Sequence, residues 1–204
     1  MIKLYDVPLS GNCHKVRMLL AFLGLDYQTV PVNLQAGAQK EPAYLALNPL
    51  GQVPTLDDDG VVLHDSQAIC MYLAAKYGKG KWLPMGDPVA FGHVSEWMSF
   101  SSAEMIQGCA MARALILFNR PGDIPGAQEK ARRALSILDD HLKTRQWLVG
   151  DAPTVSDSVN YVYAGLGHQG GIDPHGYKNV SAWLGRVEAL PGYVPMAALP
   201  APKV

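Results

Sequence analysis

The sequence predicts a two-part chain, an α/β module of order βαβαββα followed by an all-helical module. Three observations predict it. Up to about residue 78, short β-rich runs alternate with segments of helical periodicity. The run GKGKWLPMGDP, Gly78 to Pro88, is rich in Gly and Pro and follows no period. Beyond it, each periodic segment repeats at helical spacing. The first module therefore spans 1–78, the linker 79–88 and the helical module 89–204.

Each element has its own signal. Ile2–Tyr5 is an apolar strand, and Val16, Leu19, Leu20 and Leu23 place a helix from about Cys13 to Leu23. Tyr27–Val32 is the second strand. EPAYLAL is a short helix or turn that ends at Asn48, because a residue before proline is pushed out of the α region. VPTL and VVL are short strands joined by the acidic turn Asp57–Gly60. Ser66 then caps a helix whose Ile69, Leu73 and Tyr77 share one face. Strands separated by a helix pair in parallel, and strands joined by a tight turn form a hairpin. In the second module a long helix runs from about Val89 to Phe118, with Gly108 as the candidate kink. Another runs from about Pro125 to Thr144 and turns Ala131, Leu135, Leu138 and Leu142 inward. A third starts at Thr154, and a fourth, Asn179–Leu190, stops before Pro191-Gly192.

Composition removes several function classes. A chain of 204 residues with 49% hydrophobic and 17% charged residues is an ordered protein with a sizeable core. A net charge of −1, a pI near 6.6 and the lack of any long Lys/Arg run argue against nucleic acid as a partner. Met1–Asp6 lacks the charged and apolar regions of a signal peptide, and no apolar run approaches the roughly 20 residues of a membrane span. Three cysteines, Cys13, Cys70 and Cys109, suit a reducing compartment better than a disulfide framework. The expectation is a cytosolic, soluble protein with no membrane partner and no metal.

Four motifs carry the chemistry. The turn Ser10-Gly11-Asn12-Cys13 joins the first strand to the first helix, with a serine and a cysteine two residues apart. It reads as a redox site, a nucleophile, a thiol-binding site or only a capped helix. NPLGQVPTL, Asn48 to Leu56, enters a strand through Val53-Pro54, where proline donates nothing to a sheet ladder. With a cis bond there, the Val53 backbone would face the cleft beside the first helix and pair with an extended peptide ligand; the alternative is an ordinary turn. Asp65-Ser66 at a helix start offers N–H groups, a hydroxyl and a dipole to a carboxylate, with Asp65 ready for an ammonium. The alternative there is a plain serine cap. Thr154 and Asp157 form a variant capping box, a folding signal and not a site.

Together these motifs make the chain resemble a cytosolic glutathione S-transferase of the serine-type, bacterial theta/nu-like branch. The resemblance rests on Asn48-Pro49 followed by Val53-Pro54, the acid–serine pair before QAI, the Thr154–Asp157 box after Gly150-Asp151, and VSAWLGRVEALPGY, Val180 to Tyr193. It covers the chain from end to end. It implies a thioredoxin-like first domain, a helical second domain, a role in detoxification and a homodimer.

The resemblance also sorts the opening motif. Redox proteins of the thioredoxin type begin this helix with Cys-x-x-Cys, and here Ser10 stands at the attacking position, so the two-cysteine exchange is excluded. Serine-type members donate a serine hydroxyl to the glutathione sulfur, which assigns Ser10, with Asn12 as second donor, as the catalytic pair. A free thiol with pKa near 8.5 is only a few per cent thiolate at neutral pH, so a donor that favours the anion raises the reactive fraction. Cys13 reads as a small buried hydrophobe, against the alternative of a reactive thiol. Tyr5 falls one residue short of the tyrosine used by other branches, whose position is Asp6, and points away.

By the same resemblance Gln52, Val53 and Pro54 hold the cysteinyl unit of glutathione, Asp65 and Ser66 its γ-glutamyl group, and Gln39 and Lys40 its glycyl carboxylate. Asp65 replaces the more usual Glu. Phe100, Met105, Met111 and Arg113 are the candidates for a second-substrate pocket. The activity implied is conjugation of glutathione to small, largely apolar electrophiles. The alternatives are a glutathione-dependent disulfide reductase or peroxidase, and a non-catalytic binding module.

Overall fold

A computed structural model describes residues 1–197, and within it the chain divides into two compact units. The first holds Met1–Tyr77 and the described residues from Pro191 on; the second is Gly78–Leu190.

The first unit is built on four strands, β1 (Ile2–Asp6), β2 (Tyr27–Pro31), β3 (Thr55–Asp58) and β4 (Val61–His64), in the spatial order β2-β1-β3-β4. β1 and β2 are parallel, while β3 runs antiparallel to both β1 and β4. The helix-joined pair and the hairpin are thus as the sequence predicts. Helix α1 (Gly11–Phe22) packs on α3 (Ser66–Tyr77), and the short α2 (Pro42–Leu45) follows a 3-10 turn at Ala38–Lys40. The core is apolar on the predicted faces, with Leu4, Val16, Leu19, Leu20, Leu56, Ile69 and Leu73 fully buried. Two boundaries differ from the sequence reading. α1 starts at Gly11, two residues early, because Ser10 accepts a hydrogen bond from the Cys13 N–H at 3.2 Å and closes the first turn. α3 is capped by Asp65 and not by Ser66: its Oδ1 accepts from the Gln67 and Ala68 amides, both at 3.0 Å. The aspartate holds a left-handed backbone, φ +76°, which short polar side chains tolerate.

Asp58 pins β3 to α3. Its Oδ2 accepts from the Tyr72 and Tyr77 hydroxyls, each at 2.8 Å, and from Lys76 Nζ at 2.7 Å. Burial would raise this carboxyl, but the three donors hold it below the ordinary carboxylate value.

The second unit contains α4 (Pro88–Phe100), α5 (Met111–Leu117), α6 (Ile124–Leu142), α7 (Val155–Gly165) and α8 (Lys178–Glu188). The expected single helix to Phe118 is interrupted by a π-helical stretch over Ser101–Ala110 in place of a kink at Gly108. Two side chains draw carbonyls at the end of α4. Asn160 Nδ2 donates to Trp97 O at 2.9 Å, and Ser102 Oγ to Met98 O at 3.1 Å, in competition with the helical ladder. Gly108 serves close packing: a Cβ there would lie 2.6 Å from the Ala131 amide nitrogen on α6. α6 buries Ala131, Leu135, Leu138 and Leu142 as its periodicity predicts.

The capping box is present and does more than cap. Asp157 Oδ2 accepts from the Thr154 amide at 2.9 Å, and its Oδ1 from the Leu148 amide at 2.9 Å and Trp183 Nε1 at 3.0 Å. A buried carboxylate thereby ties the loop before α7 to α7 itself and to α8. Asp157→Ala strands three buried donors and is expected to cost about 3 kcal/mol or more, read as a lower urea midpoint. Asp58 yields a pH dependence. Its folded pKa is depressed, so its contribution is present above the unfolded value of about 3.9 and is lost as pH falls below it. The melting-temperature gap between the parent and Asp58→Asn should therefore narrow below about pH 4.

Candidate active site

Sheet register brings the predicted residues to one end of the first unit. Val30, Tyr5, Thr55 and His64 lie abreast across the four strands. β1 and β2 end one residue beyond this row, β4 ends on it, and β3 begins on it. The Ser10 turn, the 32–54 connection and the Asp65-Ser66 cap therefore all leave the sheet at the same end. So do the N-termini of α1 and α3, whose positive dipole ends favour an anionic ligand.

Ser10 is half-buried at the N-cap of α1. Its oxygen receives the Cys13 amide through a lone pair, which leaves the hydroxyl proton able to donate. Capping and thiol activation are thus compatible in one side chain. Asn12 follows in the first turn, half-buried. Cys13 has no exposed surface, and burial, partly opposed by the Ser10 hydrogen bond, pushes its thiol up to about 12. It is protonated at neutral pH and belongs to the core. Tyr5 lies on the opposite face of β1 from Leu4 and Asp6, edge-on to Tyr44 with ring centroids 5.8 Å apart.

The Val53-Pro54 bond is cis, and the ladder starts at Thr55, so the Val53 backbone precedes the first rung. A buried polar network that the motif did not reveal holds this loop. Gln52 O accepts from the Tyr44 hydroxyl at 2.6 Å and from Asn48 Nδ2 at 2.8 Å, and both donors also reach Thr55 Oγ1. Asn48-Pro49 looked like a helix stop; the side chain of Asn48 is also the brace of the next loop. Gly51, at φ +57°, makes room for the Gln39–Lys40 turn: a Cβ would lie 2.8 Å from Gln39 O and from Lys40 Nζ. Lys40 is exposed, whereas Gln39 Oε1 is buried with no hydrogen bond among the described residues.

At the start of α3, Ser66 is buried and its hydroxyl donates to Gln67 Oε1 at 2.7 Å. Lys15 of α1 is fully buried; burial pushes its ammonium down to about 8, opposed by the neighbouring Cys70 and Asp65 side chains. Sequence periodicity did not single it out, since a lysine in a helical pattern reads as surface.

The four candidates in the second unit differ in burial and surroundings. Phe100 lines a cleft of about 460 Å³ with Trp97, His141, Arg145, Leu148 and Val149. Met105 is fully buried and Met111 is 44% exposed. Arg113 is 3% exposed and donates Nε to Gln169 Oε1. The π-helical stretch changes which faces these positions occupy, so a regular helix does not predict their grouping. Among the described residues no cluster of three or more His, Cys, Asp or Glu could hold a metal ion, and no helix is long and apolar enough to cross a membrane.

Comparison with known proteins agrees with this arrangement. Residues 9–76 match the glutathione S-transferase N-terminal domain, and residues 110–191 match the C-terminal domain. The chain is 32% identical over 213 residues to glutathione S-transferase 3 of Zea mays, covering 98% of this chain and 96% of that protein. A solved glutathione S-transferase from Pseudomonas fluorescens superposes with a TM-score of 0.90 at 30% identity, over 97% of this chain and 99% of the other. A glutathione transferase homologue from Lodderomyces elongisporus, solved with two GSH per subunit, superposes with a TM-score of 0.84 at 27% identity over 94% of each chain. With both halves matched and nearly the whole length aligned, the chain belongs to the glutathione S-transferase family.

Proposed function

We propose that this protein is a glutathione transferase of the serine type, which binds glutathione at the loop end of the first unit, ionises its thiol and transfers it to a small electrophile. The observation that carries the reading is the Ser10 hydroxyl. Its lone pair is committed to the Cys13 amide, so its proton is the part left for a ligand sulfur. The positive end of α1 adds to the preference for thiolate over thiol. Asn12 is the second donor. Val53 offers its backbone to the cysteinyl unit, Asp65 and Ser66 receive the γ-glutamyl group at the second helix terminus, and Gln39 and Lys40 take the glycyl end. The burial of Cys13 keeps the chain's own thiol out of the reaction, so the sulfur comes from glutathione. The family's crystallised homologue with GSH bound supports the same ligand.

The second substrate is assigned to the helical unit, where Phe100 lines the cleft and Met111 is exposed, while Arg113 is buried and reaches no ligand directly. The reading includes a homodimer acting in the cytosol; the exposed Val61, Val62, Val89 and Phe91 supply apolar surface for self-association, and the three buried cysteines carry no disulfide.

The test is the ultraviolet absorbance of bound glutathione thiolate at neutral pH, with turnover of an aryl halide alongside. The parent is expected to bind glutathione and to hold its thiol largely ionised. Ser10→Ala should lose the thiolate signal and about a hundredfold in turnover. It should also lose about 1 kcal/mol of stability as the cap disappears, whereas Ser10→Thr should keep both functions. A parent that does not bind glutathione would sink the proposal, and thiolate unchanged in Ser10→Ala would remove Ser10 from its role.

A further inference from the structure

Arg17 lies two helical turns beyond Ser10, yet its side chain folds back onto the turn that presents the serine. Nη1 donates to Asp6 Oδ1 at 2.5 Å and to Val7 O at 3.4 Å, and Nη2 donates to Pro8 O at 2.9 Å. The same Val7 carbonyl accepts the Ser10 amide at 2.9 Å, so guanidinium and serine backbone share one anchor. Asp6 in turn is held by its carbonyl, which accepts the Val32 amide at 3.0 Å. The pair is sheltered: the Arg17 and Asp6 side chains are 12% and 6% exposed, and Met196 Sδ lies 3.8 Å from Nη2.

Two consequences follow for anything bound at Ser10. The carbonyls of Val7 and Pro8, and the Asp6 carboxylate before them, are fixed by one rigid fork. A lysine, with a single compact ammonium, has no equivalent geometry. The carboxylate of Asp6 is also neutralised. Its field extends to the first turn of α1, where it adds to the upward push on the Cys13 thiol. An unpaired Asp6 anion there would oppose a second anionic sulfur beside Ser10.

We propose that Arg17 is a positioning residue for thiolate formation: it fixes the Asp6–Pro8 turn that aims the Ser10 hydroxyl, and it cancels the Asp6 charge that would oppose the bound anion. This rests on the assignment of Ser10 as the donor to the glutathione thiol. The carbonyl contacts also satisfy the guanidinium's remaining donors, so the test must read the bound thiol and not stability alone.

The experiment is a spectroscopic pH titration of the bound glutathione thiol in the full-length protein, with kcat and KM for glutathione measured alongside. The variants are Arg17→Gln, Arg17→Lys, Asp6→Asn and Asp6→Asn/Arg17→Gln. Arg17→Gln should raise the bound thiol's pKa by about one unit, a roughly tenfold fall in the thiolate-to-thiol ratio, with kcat falling more than KM rises. Asp6→Asn, which keeps the cation and removes the anion, should leave that pKa unchanged or lower. The double variant should fall between the parent and Arg17→Gln, because the charge is balanced again but the turn is not. Arg17→Lys should restore part of the thiolate, and it keeps the test open if Arg17→Gln does not fold. A parent-like thiol pKa and kcat in folded Arg17→Gln, or in Arg17→Lys where only that variant folds, overturns the inference and leaves Arg17 a stability residue. A thiol pKa that rises in Asp6→Asn overturns the charge-cancelling role. Failure of the Ser10 assignment looks different, because the parent itself would then show no bound thiolate.

Discussion

The row Val30–Tyr5–Thr55–His64 is the constraint on which the first unit depends. Ladder hydrogen bonds hold that register, and a slip of one residue would turn every side chain of a strand to the opposite face. Because β3 runs against β1 and β4, its beginning must share an end with their terminations. The Ser10 turn, the cis-proline loop and the Asp65 cap, far apart in the chain, are therefore delivered to one place by backbone pairing alone. The two helices that follow β1 and β4 start there as well, and the same sheet end concentrates N–H groups and positive dipole.

Within that frame, several polar side chains meet more than one structural demand at once. Ser10 closes α1 with a lone pair and retains a proton. Asp65 caps α3 with one oxygen while holding a left-handed backbone. Asn48 ends a helix and braces the Gln52 carbonyl. At Ser10 the cap does not exclude the proposed donor role, because the cap uses a lone pair and leaves the proton. Arg17 extends the pattern, since one guanidinium satisfies a buried carboxylate and two turn carbonyls.

The helical unit has a comparable centre in Asp157. Four donors from three segments converge on its two oxygens, so the capping box also ties α7 to α8. The π-helical stretch between α4 and α5 is the less regular part. Its onset coincides with side chains that take the Trp97 and Met98 carbonyls, and its small Gly108 lets α6 approach closely.

By itself the sequence determined the order of elements, the buried faces of α1, α3 and α6, the parallel pair and the hairpin, and the exclusion of a dithiol mechanism. All of these depend on local periodicity, turn chemistry or residue identity. The motif residues at Ser10, Val53-Pro54 and Asp65-Ser66 were legible for the same reason: each sits at a strand or helix boundary with its own signal. Tertiary structure alone decided which residues support them. The Tyr44–Asn48–Thr55 brace, the clasp of Arg17 on the β1–α1 turn and the full burial of Lys15 join positions with no common period. The unequal burial of Phe100, Met105, Met111 and Arg113 escaped the sequence too. It accompanies the π-helical stretch, at whose onset Asn160 of α7 and Ser102 take α4 carbonyls, and a pattern read one segment at a time carries no information about the contact from α7.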